Sequence, residues 1–270
     1  MASRTRREAG PGTPAPAGAG ARGAAAGAVE VRALPPGREL DPVTEHWIVD
    51  GLVDAMPDLR ARELFTRRRD MLTEAEYIVL GVDRERDAVV SLLTSRWAKL
   101  PSGRTALHVM TQFVGDAHRH GAIFGHSWTA HFTRLLADGG PFPEVIALKT
   151  YNPVAYCAMN AFSGHPEISM YPDPAHPAAS ALAAEVAEAV APGHPFDAAH
   201  GVLPGIGRPV DLYRQRPTSS AEAVNAYFAA HLEPGDRMLC VLHAPTAAGQ
   251  HAILRALGIP LPPGDGPHPS

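Results

Sequence analysis

The stretch that decides the fold runs from His108 to Tyr171, where strand-like and helix-like apolar periods alternate along the chain. Its successive segments are HVMTQFV (His108–Val114), GDAHRHGA (Gly115–Ala122), a helical pattern to Leu136, EVIAL (Glu144–Leu148) and TYNP (Thr150–Pro153). A strand, a glycine-containing turn, a helix and a second strand predict a parallel pair joined by a crossover. This order is typical of an α/β unit that holds a cofactor.

The segments before and after this unit extend the predicted sheet. Two β-rich runs, Tyr77–Val82 and Ala88–Thr94, flank a charged turn and predict a hairpin, and a turn at Pro101–Gly103 leads into a third strand at Thr105–Val114. Met238–Leu242 predicts a late closing strand. The fold class is therefore α/β (α+β), with a mixed, mostly antiparallel central sheet flanked by helices.

Composition predicts one folded domain with two less ordered ends. Residues 1–36 are dominated by Ala, Gly, Pro and Arg and are expected to be a disordered tail, and residues 259–270 are expected to be frayed. The region between them, 37–258, is expected to form a single domain. It contains an insertion at about 173–218 that is rich in Pro, Gly and His.

The charge and hydropathy of the chain limit the kinds of molecule that the protein is expected to bind. The chain has 270 residues and a net charge of −4, and residues 1–38 carry six Arg against two Glu, so the remainder carries −8. An acidic folded part argues against a broad nucleic-acid surface. The absence of a long apolar run and the presence of only two cysteines favour a soluble, cytoplasmic protein that does not enter a membrane. Oligomeric state is left open.

The order of elements from about Asp41 to Leu242 resembles that of the GCN5-related N-acetyltransferase (acyl-CoA N-acyltransferase) superfamily. In that family the loop after the fourth strand carries Gln/Arg-x-x-Gly-x-Gly/Ala, and its backbone N–H groups bind the pyrophosphate of coenzyme A. Arg119 takes the first position here, followed by Ala122 and Phe124; a register shifted by one residue puts Gly121 at the central position instead. The residues that this resemblance assigns to coenzyme A are Phe113, Val114, Arg119, His120, Gly121, Ala122 and Asn152.

The resemblance also suggests a proton donor for the leaving thiolate. The family shows Asn at the end of the fifth strand, Ala three residues later and Tyr seven residues later; Asn152 and Ala155 match, whereas Met159 occupies the Tyr position. Tyr156 lies one helical turn before Met159 and is expected to serve as the acid. The alternative is that Tyr156 packs on the sheet and donates its hydroxyl to a backbone carbonyl.

A base is also needed, because only a neutral amine can attack a thioester. His108 is the candidate, since period-two alternation puts it on the same face of its strand as Gln112 and a neutral imidazole suits the task. A hydrogen-bonded structural role for His108 is the alternative. A backbone N–H near Phe113 or Val114 is expected to meet the oxyanion of the tetrahedral intermediate.

These observations predict an acyltransferase that moves an acyl group directly from acetyl-CoA or another acyl-CoA to a small-molecule or peptide amine. A carrier-protein phosphopantetheine is an alternative donor, and the mechanism requires no metal. Two other hypotheses stay open. One is a non-catalytic binding or regulatory module on the same fold, and the other is a metal-dependent hydrolase with His118 and His120 as ligands, completed by Asp116 or His126.

Overall fold

A computed structural model describes residues 29–119 and 121–261, and its centre is one mixed β-sheet. The strands are β1 (Val29–Leu34), β2 (Tyr77–Asp83), β3 (Ala88–Lys99), β4 (Thr105–Val114), β5 (Val145–Thr150), β6 (Ser169–Tyr171), β7 (Val202–Leu203) and β8 (Arg237–His243). Their spatial order is β1-β2-β3-β4-β5-β8-β6, and β7 also pairs with β8. β4 and β5 run parallel and the other described pairs are antiparallel, which confirms the predicted fold class.

Helices cover both faces of this sheet. They are α1 (Pro42–Ala55), α2 (Ala61–Arg67), α3 (Asp70–Thr73), α4 (Ile123–Ala137), α5 (Pro153–Asn160), α6 (Ala181–Val190), α7 (Glu222–His231) and α8 (Ala247–Ala256). One face packs against α4, α5, α7 and α8 and forms the largest apolar cluster. The other face carries two clusters, one under α1 to α3 and one under α6. None of the described helices has the length and apolar character needed to cross a membrane.

Local sequence explains where the first helix begins. Asp41 caps α1 by accepting hydrogen bonds from the N–H groups of Val43 and Thr44 at 2.8 and 2.9 Å, and Pro42 occupies the first helical position. Proline is favourable there because the N–H it lacks would have no partner in the helix. The buried residues Ile48 and Leu52 lie four apart and pack on the sheet.

The N-terminal boundary of the folded part differs from the prediction. Val29–Leu34 forms β1, which pairs along its whole length with β2, so the expectation of a disordered tail up to residue 36 is wrong for this segment. Its apolar and polar residues alternate in the way that a half-buried edge strand requires. Glu30 also forms ion pairs with Arg32 and Arg84, each with a distance of 3.2 Å between the guanidinium nitrogen and the carboxylate oxygen. Residues 1–28 lie outside the described part of the chain.

The C-terminal boundary and the inserted segment also require correction. Ile259 is buried and its N–H donates to the carbonyl of Leu254 at 2.9 Å, so fraying does not begin there. Residues 262–270 lie outside the described part. The segment 173–218 supplies α6, whose apolar side covers the sheet, and β7, which extends the sheet beside β8. This segment is therefore part of the domain's core.

His131 provides a test of the core through its protonation. It lies on α4, is fully buried, contacts the Ser95 hydroxyl through Nε2 at 2.6 Å, and burial lowers its pKa to about 3. The unfolded chain, with a histidine pKa of about 6.5, therefore binds one more proton than the folded chain as pH falls below that value. Because His131 is protonated only in the unfolded chain, the free energy of unfolding must decrease as pH falls below about 6.5.

We expect His131→Gln to reduce the slope of unfolding free energy against pH between about pH 6 and about pH 4 by about 1.4 kcal/mol per pH unit. Denaturant unfolding across that range measures the slope. Leu135→Ala destabilises the same helix without removing a titratable group and should keep the wild-type slope. Equal slopes for wild type and His131→Gln would contradict a neutral, buried His131.

Candidate active site

The candidate site lies where β4 and β5 separate. Leu107–Val109 of β4 pairs with Ile146–Leu148 of β5. Beyond these residues β4 stays paired with β3, and β5 stays paired with β8. A register shift against β3 coincides with the separation, because Thr94 pairs with Thr111 while Ser95 pairs with Val109, which leaves Met110 as an extra residue. Such a bulge bends its strand. The edge of β4 beyond Val109 therefore has no β5 partner, and a cleft opens between the two strands.

The cleft has walls from four parts of the chain. The space between these walls is about 790 Å³ when the part that is continuous with solvent is included. Two walls are the end of β4 and the end of β5 with its following turn, Leu148–Asn152. The other walls are the α2–α3 region and the segment 206–213.

Hydrogen bonds hold the segment 206–213 over the cleft. The Leu212 carbonyl accepts from the N–H of Arg60 at 2.9 Å, and the Arg60 guanidinium pairs with Asp211 at 2.7 Å. At the other end, the N–H of Gly207 donates to the carbonyl of Gly235 at 2.7 Å. The segment is thus tied both to the start of α2 and to the turn before β8.

His108 lies in this cleft, and its imidazole is neutral. The side chain is 3 % exposed, and neither ring nitrogen has a hydrogen-bond partner among the described residues. Burial, together with the positive charges of Lys149, Arg96 and Arg68, lowers its pKa well below 6.5. One ring nitrogen can therefore accept a hydrogen bond and the other can donate one.

Gln112 also lines the cleft but points to the other face of the sheet. Cross-strand partners share a face, and Gln112 pairs with Leu93 of the α4 cluster, whereas His108 pairs with Arg96. The prediction that His108 and Gln112 share a face is therefore wrong, because the extra residue at Met110 shifts the alternation by one. Since the cleft passes between the strands, both side chains still line it.

Four positively charged side chains are among the described residues that line the cleft. Lys149 lies on the same face as His108, its Nζ donates to the Val190 carbonyl at 2.6 Å, and burial and nearby arginines lower its pKa to about 8. Arg237 lies over the Tyr151 ring at 5.8 Å, and burial lowers its pKa. Arg68 forms a two-pronged ion pair with Asp70 at 2.8 and 2.9 Å. Arg208 is exposed at the rim.

The loop after β4 leads to the uncapped start of α4. Arg119 is half exposed and pairs with Asp116 at 2.5 Å, and Ala122 precedes the helix without supplying a side-chain cap. Among the residues that the structure describes, no side chain caps the first N–H groups of α4. Gly121 is exposed, but its N–H donates to the His118 carbonyl at 3.0 Å and is not free. His120 lies outside the described residues.

Two bulky residues stand at the start of α4. Ile123 is buried, and Phe124 is half-buried and packs against Trp128 with ring centroids 6.1 Å apart. Phe113 lies in the cleft wall, and Val114 follows it at the end of β4.

Asn152 lies at the opposite wall of the cleft, where α5 begins. Its Oδ1 accepts the N–H of Val154 at 2.9 Å as a helix cap, and its own N–H donates to the Thr150 hydroxyl at 2.9 Å. Tyr213 lies nearby. Burial raises the pKa of Tyr213, while Arg237, the Asn152 side chain and Arg119 act in the opposite direction.

Tyr156 does not lie in the cleft. It is 1 % exposed, its hydroxyl donates to the Pro172 carbonyl at 2.8 Å, and its ring packs edge-on against Phe228. Burial raises the pKa of its hydroxyl. The alternative interpretation of Tyr156, a core residue bonded to a backbone carbonyl, is the one that the geometry favours, and its expected role as an acid is not supported.

Sequence reasoning did not find several cleft residues. Arg68, Lys149, Tyr213 and Arg237 come from separate parts of the chain and carry no common spacing. Of these four residues, only Lys149 could have been identified from the sequence, because it is a charged residue within an otherwise apolar strand.

The described residues of the alternative metal hypothesis, Asp116, His118 and His126, do not form a metal site, and His120 lies outside the described residues. His118 and Asp116 share the short turn after β4, and His126 is exposed on α4. Within 29–119 and 121–261, no three His, Cys, Asp or Glu side chains are grouped closely enough to hold a metal ion.

Comparisons with known proteins give matches among solved structures alone. No protein-family model matches the chain, and no curated protein matches it. A GNAT-family N-acetyltransferase from Escherichia coli in complex with CoA is 13 % identical, with 48 % of this chain and 66 % of that chain covered and a TM-score of 0.35. A GNAT-family acetyltransferase from Brucella melitensis in complex with acetyl-CoA is 11 % identical, with 44 % and 74 % covered and a TM-score of 0.32.

An aminoglycoside 6'-N-acetyltransferase from Enterococcus faecium is 16 % identical, with 45 % of this chain and 60 % of that chain covered and a TM-score of 0.31. These alignments span less than half of this chain. The described sheet has three antiparallel strands, a parallel pair that separates around a cleft, and an antiparallel strand beyond it, which agrees with the mixed, mostly antiparallel α/β fold that the sequence predicts.

Proposed function

We propose that this protein transfers an acyl group from coenzyme A to an amine acceptor, either a small molecule or a peptide. The observation that carries the proposal is the separation of β4 from β5 beyond Val109. An extended chain that contains amide groups can lie along an unpaired strand edge by forming main-chain hydrogen bonds. The pantetheine arm of coenzyme A is such a chain.

The start of α4 supports a site for the diphosphate of the donor. Its first N–H groups carry partial positive charge and have no side-chain cap, and anions bind favourably at such helix ends. Arg119 lies in the preceding turn, where it pairs with Asp116, and its remaining guanidinium N–H groups can donate to the diphosphate. Phe113, Val114 and Ala122 would contact the donor through their main chain, and Asn152 would lie beside the thioester. A phosphopantetheine arm on a carrier protein has the same reactive part, so it remains an alternative donor.

The proposed reaction is direct transfer. The amine nitrogen attacks the thioester carbonyl carbon, a backbone N–H near Phe113 or Val114 binds the oxyanion, the C–S bond breaks, and the thiolate takes a proton. His108 accepts a hydrogen bond from the amine through its neutral imidazole and takes the amine's proton as the C–N bond forms. Tyr213 replaces Tyr156 as the proposed acid, because its hydroxyl lies in the cleft and burial favours its protonated form.

Two tyrosine variants separate the acid from the structural residue. We expect Tyr213→Phe to lower kcat by about tenfold or more, since general acid catalysis contributes factors of that order and above. Tyr156→Phe should instead keep kcat and lose about 1 kcal/mol or more of stability, because it leaves the buried Pro172 carbonyl without its donor. Steady-state kinetics and denaturant unfolding measure both. A reversed pattern would restore Tyr156 as the acid.

Binding and turnover of acetyl-CoA test the proposed function itself. We expect acetyl-CoA to raise the unfolding temperature and amines to stimulate the release of free coenzyme A thiol. Arg119→Ala should raise the KM for acetyl-CoA by about tenfold with little change in kcat, as expected for loss of a binding contact. Arg62→Ala is the matched control, because Arg62 lies on the outer side of α2 and pairs with Asp50.

The outcomes of this experiment separate the alternatives. Turnover with an acyl carrier protein but not with acetyl-CoA would make the carrier protein the donor. Binding of acetyl-CoA without transfer to any amine would favour a non-catalytic binding role on the same fold. No binding of either donor would overturn the proposal.

A further inference from the structure

We infer that the amine acceptor carries an anionic group, a carboxylate or a phosphate, which binds in the cleft to Arg68, Lys149 and Arg237. This inference rests on the proposed function, because it names the class of acceptor for the same site.

The first observation is the unbalanced charge of the cleft. Its described lining includes four cationic side chains and no Asp or Glu; the cations are Arg68, Lys149, Arg208 and Arg237. Two carboxylates bind residues of the cleft or of its adjoining loops, and only one of them pairs with a cleft cation. Asp70 pairs with Arg68, and Asp236 accepts the N–H groups of Gly205 and Glu233 at 2.7 and 2.9 Å. The cleft therefore has an excess of positive charge.

The second observation is the unused donor capacity of two of these cations. Lys149 has three donors and one hydrogen-bond acceptor, the Val190 carbonyl, among the described residues. Arg237 has five donors, of which one is bonded to the Asp236 carbonyl at 2.6 Å. Partly buried cations without a carboxylate partner are costly, as the lowered pKa of Lys149 reflects. A bound anion removes this cost.

The third observation is independent of charge. Uncharged polar atoms line the same cleft, are buried, and have no partner among the described residues; they are both ring nitrogens of His108, both amide atoms of Gln112 and the Thr111 hydroxyl. Buried polar atoms in proteins are nearly always hydrogen-bonded. His108 in particular is 3 % exposed. A polar ligand that lies along β4 would satisfy these atoms.

An anionic acceptor would also act on His108. The charges of Lys149, Arg96 and Arg68 are part of what makes protonation of His108 unfavourable. A carboxylate or phosphate held by Arg68 and Lys149 offsets those charges and makes the imidazole a better proton acceptor. Binding of the acceptor would thus raise the proton affinity of His108, the base that removes the proton from the acceptor's amine.

Gly207 offers a way to move Arg237 without removing its charge. A Cβ at Gly207 would lie 2.1 to 2.4 Å from the guanidinium atoms of Arg237, so Gly207→Ala must displace that group. The guanidinium is the end of a flexible side chain, and its displacement leaves the backbone in place. By contrast, a Cβ at Gly51 would meet the main chain of Val89 at 2.6 Å.

Matched acceptor pairs test the inference. With acetyl-CoA as donor, kcat/KM is measured for 4-aminobutyrate against butylamine and for O-phosphoethanolamine against ethanolamine. We expect the anionic member of at least one pair to be preferred by about tenfold or more, equivalent to about 1.4 kcal/mol. The pair with the larger ratio shows whether the bound group is a carboxylate or a phosphate.

Substitutions in the cleft test whether its cations cause the preference for anionic acceptors. Arg237→Gln and Gly207→Ala should each lower the anionic-to-neutral ratio by about fivefold or more, through KM for the acceptor. Arg62→Gln removes an exposed guanidinium outside the cleft and should keep the wild-type ratio. Thermal unfolding establishes that each variant is folded. Gly207→Ala decides the question if Arg237→Gln does not fold.

Failure of the inference differs from failure of the proposed function. Ratios near one in wild type, or a raised KM for acetyl-CoA in place of a changed ratio in the variants, would overturn the inference and leave acyl transfer intact. If no amine is acylated although acetyl-CoA binds, the proposed function fails. Calorimetric titration with the same pairs then decides whether the cleft binds anions: binding of the anionic members that Arg237→Gln abolishes supports the anion site, and no binding overturns it.

Discussion

The extra residue at Met110 in β4 is the constraint on which the rest of the site depends. Strand pairing satisfies main-chain groups, and a continuous ladder between β4 and β5 would leave no space between them. The bulge bends β4 away while its bonds to β3 continue, so the sheet keeps its stability on one side and opens on the other. The shift in alternation also sends His108 and Gln112 to opposite faces. One inserted residue thus both opens the cleft and determines which side chains line it.

Electrostatics gives this cleft its chemical character. A sheet face that packs against apolar helices ordinarily excludes charge, yet Arg96 pairs with His108 across β3 and β4, and Lys149 lies on the same face of β5, between two apolar clusters. The histidine is neutral because burial and, to a smaller extent, its positively charged neighbours lower its pKa. Anion binding and the proton affinity of His108 are therefore linked in this site, because an anion that neutralises the cations also makes protonation of the imidazole less unfavourable.

The strands and crossover could be predicted because period and turn residues are local signals. The hairpin, the third strand and the parallel pair all follow from alternation within a few residues. β1 was missed because its short alternating run follows a composition that cannot form a core. Tyr156 was misjudged because helical spacing gives a face but not what that face contacts. Arg68, Tyr213 and Arg237 meet only through tertiary structure, so no spacing in the sequence could connect them.

The attachment of segment 206–213 affects how this fold can change through mutation. The segment is tied to the start of α2 and to the turn before β8, and it contributes no strand to the opening between β4 and β5. The opening between the strands and the wall that the segment adds to the cleft are therefore encoded in different stretches of the chain. Substitutions in the segment at positions other than Tyr213 can reshape that wall while the strand opening is inherited unchanged, so the lining of the cleft is free to diverge faster than the geometry of the sheet.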